Sequence, residues 1–189
     1  MYAKYLQDPN LKLWYHSYWV KSKTHYPKRP LFWGRGNGWV LASFPMILDQ
    51  LGEVPEKDEI ITILQETAKA VLDCQNKDGS FSTLLTQKSY TEASATLLIA
   101  AGFLHGVHQG YLDKSYLEPG RRAFLNAVGT IKTNRKGRLV LPDISAPTIP
   151  LPIFPKLGYT LTPKGSNWSY GLAALIFAAI QYDRCRNLD

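Results

Sequence analysis

The sequence predicts an all-α fold, an α/α toroid in which inner and outer helices alternate along the chain. One unit occurs three times, and each copy consists of a polar turn, a short extended piece, a loop and a helix rich in small residues. Amphipathic helical segments of a more ordinary kind separate the copies. Small residues on nearly all faces are typical of tightly surrounded inner helices, whereas a polar stripe suits the outside of a toroid.

The elements follow in a regular order. The turns fall at 8–10, 77–79 and 135–137, and the extended pieces at 11–15, 80–85 and 138–141. Inner helices are predicted at 37–51, 92–107 and 167–184, and outer helices at 58–74 and 116–131. Because the repeat has the same polarity each time, the N-termini of the inner helices are expected at one mouth of the toroid. Asp78 precedes a glycine and is interpreted as a turn residue.

The segment 142–163 interrupts this pattern. It contains six prolines, which exclude a regular helix over that length. We therefore expect a long loop that crosses near the mouth where the inner helices begin. Trp168 and Tyr170, just beyond it, are interpreted as residues that pack against this loop, with stacking on a ligand as the alternative.

The bulk composition fits a single domain over 1–189. The net charge of +7 and the pI near 9.4 favour acidic partners. The sequence has no zinc-finger, RNA-recognition or helix-turn-helix signature, so a nucleic-acid partner is not expected. The basic stretches 21–29 and 132–138 coincide with turn-forming residues and are predicted as solvated loops. With no apolar run of about 18 residues and no signal-peptide pattern, we expect no membrane partner and a cytoplasmic protein.

Neither cysteine nor histidine spacing indicates a metal site. Cys74 and Cys185 lie far apart and are expected to be buried thiols. His105 and His108 are three residues apart on a predicted helix, but no third ligand lies near them in sequence. No metal or other cofactor is therefore predicted.

The run from Phe32 to Trp39 carries the strongest functional signal. It reads Phe-Trp-Gly-Arg-Gly-Asn-Gly-Trp and stands immediately ahead of an apolar helical stretch. The indoles of Trp33 and Trp39 can cover the apolar faces of a sugar ring, and the guanidinium of Arg35 can bind a carboxylate through two parallel hydrogen bonds. Glycines let a backbone approach a ligand closely. The run therefore predicts a pocket for a sugar acid.

Together with its neighbours, this run resembles a known family. The landmarks are Leu13-Trp14-Tyr15-His16, the run just described, Gln75-Asn76-Lys77-Asp78-Gly79-Ser80-Phe81, Glu92-Ala93-Ser94-Ala95-Thr96 and Gly110-Tyr111-Leu112. In this order they resemble glycoside hydrolase families 88 and 105, the unsaturated glucuronyl and rhamnogalacturonyl hydrolases. The resemblance extends over about residues 1–131.

The resemblance implies a six-hairpin α/α barrel that releases 4,5-unsaturated uronic acids from lyase-generated oligosaccharides. It implies no metal or organic cofactor: an aspartic acid protonates the vinyl ether, water adds to the neighbouring carbon, and the hemiketal collapses. His16, Arg35 and Trp39 correspond to substrate-binding residues of the family, and Trp33 belongs to the same wall. Without this context, His16 would be interpreted as a structural histidine.

The chain also departs from the family pattern. The essential aspartates of the family lie on hairpins upstream of the landmark that ends at His16, and they have no counterpart here. Three hairpins instead of six indicate the C-terminal half of the barrel, which supplies a substrate wall without the proton donor. Such a half exposes apolar flanks, so we expect a homo-oligomer or a missing N-terminal half. The alternatives are a non-catalytic remnant that binds carbohydrate or is merely structural, and, more remotely, a basic protein that binds nucleic acid.

One carboxylate needs a separate interpretation. Glu92 is placed in the first turn of the second inner helix, where its charge complements the helix dipole and Thr91 can act as the cap. A structural role is therefore predicted for Glu92, with contact to sugar as the alternative.

Overall fold

The computed structural model describes residues 2–188, most of which belong to helices or to the loops between them. The helices are α1 (Ala3–Leu6), α2 (Gly34–Gln50), α3 (Lys57–Leu72), α4 (Ala93–His108), α5 (Leu117–Gly129), α6 (Pro155–Thr160) and α7 (Ser169–Arg184). The strands are β1 (Ser17–Trp19), β2 (Thr24–Tyr26), β3 (Lys132–Thr133), β4 (Leu139–Val140), β5 (Ile144–Ser145) and β6 (Lys164–Gly165). They form three antiparallel two-stranded ribbons, β1–β2, β3–β4 and β5–β6.

Helix α4 occupies the centre of the molecule. It packs against α2 on one side and α7 on the other, α5 covers its outer face, and α3 packs against α2. Every residue of α4 except the last is buried. As predicted from its small residues, this inner helix is surrounded on all faces.

Helices α2 and α7, the inner helices on either side of α4, differ from that prediction, because each has an exposed apolar side. Met46 and Ile47 of α2 are about half exposed, as are Ile176 and Ile180 of α7. The small residues of these two helices face α4, whereas the larger apolar residues lie on faces that no described part of the chain covers. This arrangement agrees with the apolar flanks expected of half a toroid.

The glycines of α2 and α4 allow their helices to approach closely. A Cβ atom added to Gly38 would lie 2.9 Å from Leu98 Cβ, and one added to Gly102 would lie 2.8 Å from the backbone of Leu41. Real Cβ contacts are not that short, so a side chain at either position would push the helices apart. The glycines of the run from Phe32 to Trp39 were interpreted as allowing close approach to a ligand. At Gly38 this interpretation is wrong, because the glycine allows close packing of α2 against α4.

Helix α2 also begins earlier than predicted. It starts at Gly34 instead of residue 37, so Arg35 and the following glycines form its first turns, and Trp33 is the extended residue at its N-cap. Three glycines within five residues, Gly34, Gly36 and Gly38, have low helix propensity, and the sequence therefore predicted a loop up to residue 36. Packing against α4 overrides that preference.

The polar turns form as predicted. Asp8 accepts hydrogen bonds from the backbone N–H groups of Asn10 and Leu11, and Asp78 accepts them from the N–H and hydroxyl of Ser80. These bonds to Ser80 lower the pKa of Asp78 below its ordinary value despite partial burial. Asp78 is thus a turn residue, as expected.

The proline-rich segment crosses the inner-helix N-termini, but it is not loop throughout. Residues Pro155–Thr160 form α6, which begins with its proline at the first helical position, where a missing N–H costs nothing. Ile144–Ser145 pairs with Lys164–Gly165 across the segment. The basic stretches 21–29 and 132–138 are mainly turns with exposed Lys and Arg side chains, as predicted, although they also contain the short strands Thr24–Tyr26 and Lys132–Thr133. Within residues 2–188, no helix has the length and hydropathy of a membrane span.

Candidate functional site

Aromatic rings and one guanidinium form a continuous cluster at the start of α2. The ring of His16 stacks on Trp33, with centroids 4.7 Å apart and planes 11° from parallel. The guanidinium carbon of Arg35 lies 4.8 Å from the Trp33 ring centroid and 4.5 Å from that of Tyr170. The structure thus brings together His16, Trp33 and Arg35, three of the four predicted site residues, and adds Tyr170.

The guanidinium of Arg35 is buried and bound to other parts of this chain. Its Nη1 donates to the carbonyl of Ser145 (2.8 Å), and its Nη2 donates to the carbonyl of Ala146 (3.0 Å) and to the Thr148 hydroxyl (3.3 Å). Only 3% of the residue surface is exposed. A substrate carboxylate can reach this group only if residues 145–148 move away from it.

Glu92 completes the charge balance around Arg35. Its Oε1 lies 3.6 Å from Arg35 Nη1, and both side chains are almost fully buried. The same carboxylate caps α4, accepting hydrogen bonds from the N–H of Ala95 (2.6 Å) and from the Ser94 hydroxyl, and it also accepts the N–H of Ser145 (2.9 Å). The predicted structural role of Glu92 agrees with this geometry, although Glu92 itself is the N-cap, in the place given to Thr91.

His16 faces the proline-rich segment. Its Nδ1 lies 3.1 Å from the hydroxyl of Tyr159, which belongs to α6 and is fully buried. Burial lowers the pKa of His16, and the positive charge of Arg35 lowers it further, so the ring is uncharged at neutral pH. A neutral imidazole offers one donor and one acceptor, which suits hydroxyl groups of a sugar.

Asn37 fixes the backbone that carries His16. Its Nδ2 donates to the carbonyls of Trp14 and Trp33, each at 3.0 Å, and its Oδ1 accepts the N–H of Trp14 at 2.8 Å. The Trp14 indole donates to the Thr67 hydroxyl on α3. One amide in the glycine-rich run therefore holds the strand-like segment before His16 against the start of α2.

Two features leave space and bonding capacity for a ligand. A pocket of about 440 Å³ opens beside His16, lined by the β1–β2 ribbon and the proline-rich segment. Within the described chain, the buried indole N–H of Trp33 has no hydrogen-bond acceptor. Such a donor costs about 1 to 3 kcal/mol when left unpaired. Trp33 does not itself line the pocket, so the N–H and the pocket are separate features.

Trp39 is exposed on the first turns of α2, close in sequence to the cluster residues Trp33 and Arg35. It follows Arg35 by one turn of α2 and is 37% exposed. Over residues 2–188 its ring makes no stacking contact with His16 or Trp33. Its exposure leaves its face available to a ligand.

The predicted packing of Tyr170 against the proline-rich segment agrees with the structure, where its hydroxyl donates to the carbonyl of Ser145 at 2.6 Å. Sequence reasoning placed this segment near the mouth but did not predict that Ser145, Thr148 and Tyr159 contact the candidate site residues. Their separation of more than 100 residues from His16 and Arg35 hides these contacts from local pattern. The available sequence signal was an aromatic residue, Tyr159, within the proline-rich segment.

The histidines and cysteines considered as possible metal ligands are not part of this cluster. His105 Nε2 lies 2.7 Å from Asp49 Oδ2, and His108 is exposed. The part of the chain that the structure describes holds no cluster of three metal-ligating side chains. Cys185 is buried and donates to the carbonyl of Leu104, whereas Cys74 is only partly buried.

Solved structures of GH105 and family 88 proteins are similar to this one. A crystal structure from Klebsiella pneumoniae, described as a possible member of the GH105 family, superposes with a TM-score of 0.85 at 27% sequence identity. That similarity covers 98% of this chain and 47% of the other. The unsaturated glucuronyl hydrolase of Bacillus sp. GL1, at 15% identity and a TM-score of 0.70, shares the fold. The predicted α/α barrel class, present here as about half of the barrel, is confirmed.

Sequence relatives agree with the structural ones. Unsaturated 3S-rhamnoglycuronyl hydrolase of Alteromonas sp. is 37% identical over 107 residues, which are 52% of this chain and 26% of that protein. Unsaturated rhamnogalacturonyl hydrolase YesR of Bacillus subtilis is 27% identical over 93% of this chain and 48% of its own length. The chain thus spans about half the length of YesR.

The family assignment covers nearly the whole chain. The model of Glycosyl Hydrolase Family 88 matches residues 1–186, which include the aromatic cluster, the proline-rich segment and all three long inner helices. The resemblance proposed from the landmarks is confirmed by this match. The chain belongs to Glycosyl Hydrolase Family 88.

Proposed function

We propose that this chain forms the substrate-binding wall of a hydrolase that releases 4,5-unsaturated uronic acid from lyase-generated oligosaccharides. The observation that carries the proposal is the cluster of His16, Trp33 and Arg35 at the start of α2, beside an open pocket. Stacked rings and a nearby cation suit a flat, acidic sugar. The activities in the names of the sequence relatives support the same substrate class.

Each predicted site residue has a role in the proposal. Trp39 stacks on a sugar face, and the neutral His16 exchanges hydrogen bonds with sugar hydroxyls. Trp33 offers its unpaired N–H. Direct contact between Arg35 and the uronate carboxylate stays a prediction, and it requires that the carboxylate replace the carbonyls of residues 145 and 146.

The proton donor of the reaction lies outside this chain in our proposal. A general acid must reach the substrate, protonate one carbon of the vinyl ether, and leave the neighbouring carbon open to water. Glu92 is the one buried carboxylate among residues 2–188, and its oxygens already accept hydrogen bonds from three donors within the chain, the Ser94 hydroxyl and the N–H groups of Ala95 and Ser145. Its role is therefore to cap α4 and pair with Arg35.

The same observations favour a second candidate, a carbohydrate-binding module without turnover. The guanidinium of Arg35 is hydrogen-bonded within the chain, and Glu92 is the one buried acid among the described residues. Both observations are compatible with a protein that binds sugar and does not react.

A cytoplasmic location also stays a prediction.

The proposal includes assembly with a complementary half. Met46 and Ile47 on α2, and Ile176 and Ile180 on α7, are apolar side chains on the two helices that flank α4. Burying such faces is favourable by about 25 cal/mol per Å². Either a second copy or a polypeptide with the missing hairpins would cover them, and sedimentation of the purified chain distinguishes a dimer from a monomer.

Equilibrium binding tests the proposed substrate. An unsaturated uronyl disaccharide is titrated into the chain by calorimetry, alongside its hydrogenated counterpart. Trp39→Ala is expected to weaken binding about tenfold, equal to 1.4 kcal/mol. Ile47→Ala on the same helix is the control, because it also removes an exposed apolar side chain. No binding to the wild-type chain, or equal loss in both variants, contradicts the proposal.

A further inference from the structure

The two faces of the β1–β2 ribbon differ, because successive residues of a strand point to opposite sides. Ser17 and Trp19 line the pocket beside His16. Tyr18, together with Val20 just after the strand, lines an open depression of about 610 Å³ that the ribbon shares with helix α1. The depression therefore belongs to a surface that is separate from the candidate site.

The lining of this depression is mostly aromatic and aliphatic. The rings of Tyr5 and Tyr18 lie 4.9 Å apart between centroids and connect α1 to the ribbon. Val20 is 80% exposed and Tyr2 is 77% exposed, so large apolar side chains project into solvent here. Exposed apolar patches mark contacts with other proteins or with membranes. The lining residues are Tyr2, Tyr5, Leu6, Tyr18, Val20 and Lys23.

Lysines accompany these apolar side chains, and no carboxylate lines the depression. Lys21 and Lys23 lie in the turn between β1 and β2, and the Nζ atom of Lys4 lies 5.8 Å from the centroid of the Tyr5 ring. All three lysines are exposed, and none forms an ion pair with a carboxylate among residues 2–188. From residue 9 to residue 48 the sequence contains no Asp or Glu. Such a surface attracts an anionic partner.

The chemistry of the depression favours a lipid surface over a nucleic acid. Bases bind by stacking on flat rings, and the protruding Val20 offers no stacking face. In a bilayer, anionic headgroups attract lysines, tyrosines favour the interface, and an exposed aliphatic side chain can enter the apolar region. We expected no membrane partner because the sequence has no apolar run of spanning length, but a surface contact needs no such run.

We propose that the depression between α1 and the β1–β2 turn binds the surface of an anionic lipid bilayer. Val20 enters the interface, and Lys21 and Lys23 contact the lipid headgroups. The depression lies on the side of the ribbon opposite the pocket beside His16, so the contact goes beyond the proposed function and does not depend on it. The pocket stays open to solvent while the chain is bound to a membrane.

Sedimentation with lipid vesicles tests the proposal on the 189-residue chain. Vesicles of phosphatidylcholine alone are compared with vesicles that also contain phosphatidylserine. We expect binding to the anionic vesicles only, and weaker binding at high salt because salt screens the charges. The double variant Lys21→Gln/Lys23→Gln should weaken this binding about tenfold or more, and Val20→Ser should weaken it about fivefold. The substituted residues are exposed, and unfolding curves check that the variants keep the fold.

The β3–β4 ribbon supplies matched controls. The double variant Lys132→Gln/Lys136→Gln removes two exposed lysines and changes the net charge equally, and Leu139→Ser removes an apolar side chain that is 69% exposed. Equal losses in the two double variants would overturn the proposal in favour of general charge attraction. Full binding of Val20→Ser would also overturn it, because the contact would then need no apolar side chain.

A single-stranded oligonucleotide separates the lipid surface from the competing polyanion. If the oligonucleotide binds through Lys21 and Lys23 while anionic vesicles do not sediment the wild-type chain, the proposal is wrong. Sedimentation that is lost in the β1–β2 variants and kept in the β3–β4 variants upholds it. Binding of an unsaturated uronyl disaccharide should be the same in all these variants, so the proposed function and the membrane contact stand or fall separately.

Discussion

Arg35 and Glu92 form a buried ion pair, 3.6 Å between Nη1 and Oε1, that joins the N-termini of α2 and α4 beneath the proline-rich segment. Each partner also binds the backbone of Ser145, Arg35 at its carbonyl and Glu92 at its N–H. The ion pair thus connects two inner helices with Ser145, which is more than 50 residues from Glu92 in sequence. It lies directly beside Trp33 and so sets the geometry of the site.

Glu92→Gln is expected to destabilise the chain strongly. Removing one partner of a buried pair leaves the other charge uncompensated and costs about 3 to 5 kcal/mol. The free energy of unfolding, measured in urea, checks this. Glu118→Gln is the control, because Glu118 is 78% exposed and pairs with Arg121 on the surface, where a pair contributes up to about 1 kcal/mol. Similar losses in both variants would contradict the assigned importance of the buried pair.

Direct binding of the uronate carboxylate by Arg35 should release the proline-rich segment. If the carboxylate takes over the guanidinium, the carbonyls of residues 145 and 146 lose their donor, and hydrogen exchange of amides in 144–148 becomes faster when ligand binds. Mass spectrometry of peptides from this segment measures the change. Unchanged or slower exchange at saturating ligand would make Arg35 a positioning residue that acts through the segment.

Gly38→Ala should separate two helices. The new methyl group meets Leu98 Cβ at 2.9 Å and the Ala95 carbonyl oxygen at 3.3 Å, so we expect a loss of about 1 to 3 kcal/mol from overpacking. Gly129→Ala, at the end of α5, has no atom within 4 Å of the added Cβ and should be neutral or slightly stabilising. Thermal unfolding of both variants tests the difference. A neutral Gly38→Ala would disprove the close-packing role of the glycine-rich run.

Stability should fall as the pH drops below the ordinary pKa of histidine. Burial and Arg35 lower the pKa of His16 in the folded chain, so near pH 6.5 and below the unfolded chain binds a proton that the folded chain excludes. The contribution is constant above that range and is lost as the pH falls toward the lowered pKa. His16→Gln should flatten this part of the stability profile. An unchanged slope in the variant would assign the pH dependence to other groups.

Both thiols should react slowly. Burial raises the pKa of Cys74 to about 11, and it also raises that of Cys185, which is fully buried. Thiolate is the reactive form, so little is present at neutral pH. Labelling with a disulfide reagent should be slow in the folded chain and fast in urea. Rapid labelling of the folded chain would contradict the environment described for these residues.

How much the sequence predicts depends on the range of the interaction. Local signals suffice for the turns at Asp8 and Asp78 and for the long helices, because a side-chain acceptor or a 3.6-residue period determines them. The start of α2 was predicted three residues late, since propensity at Gly34 and Gly36 opposes the helix that packing with α4 imposes. The ribbon β1–β2 was not predicted, because its strands are only three residues long and the Lys and Arg residues between and after them favour a solvated loop.

The same distinction between local and long-range interactions applies to the candidate site. His16, Trp33 and Arg35 were predicted from a motif and lie together, but the motif does not contain what Arg35 binds. Its acceptors, at Ser145 and Ala146, come from a segment 110 residues further along the chain, and only folding brings them near. The sequence therefore predicted three residues that lie together, while their role in binding stays a prediction, and it did not predict that the proline-rich segment covers the guanidinium of Arg35.

The central claim, a substrate wall without its own proton donor, is tested most directly by turnover of an unsaturated uronyl disaccharide by the purified chain. Loss of the ultraviolet absorbance of the ring double bond follows hydration, and calorimetry on the same sample measures binding. We predict binding with no loss of absorbance above the uncatalysed rate. Catalysed loss of absorbance by this chain alone would contradict the claim, because it would require a general acid within these residues.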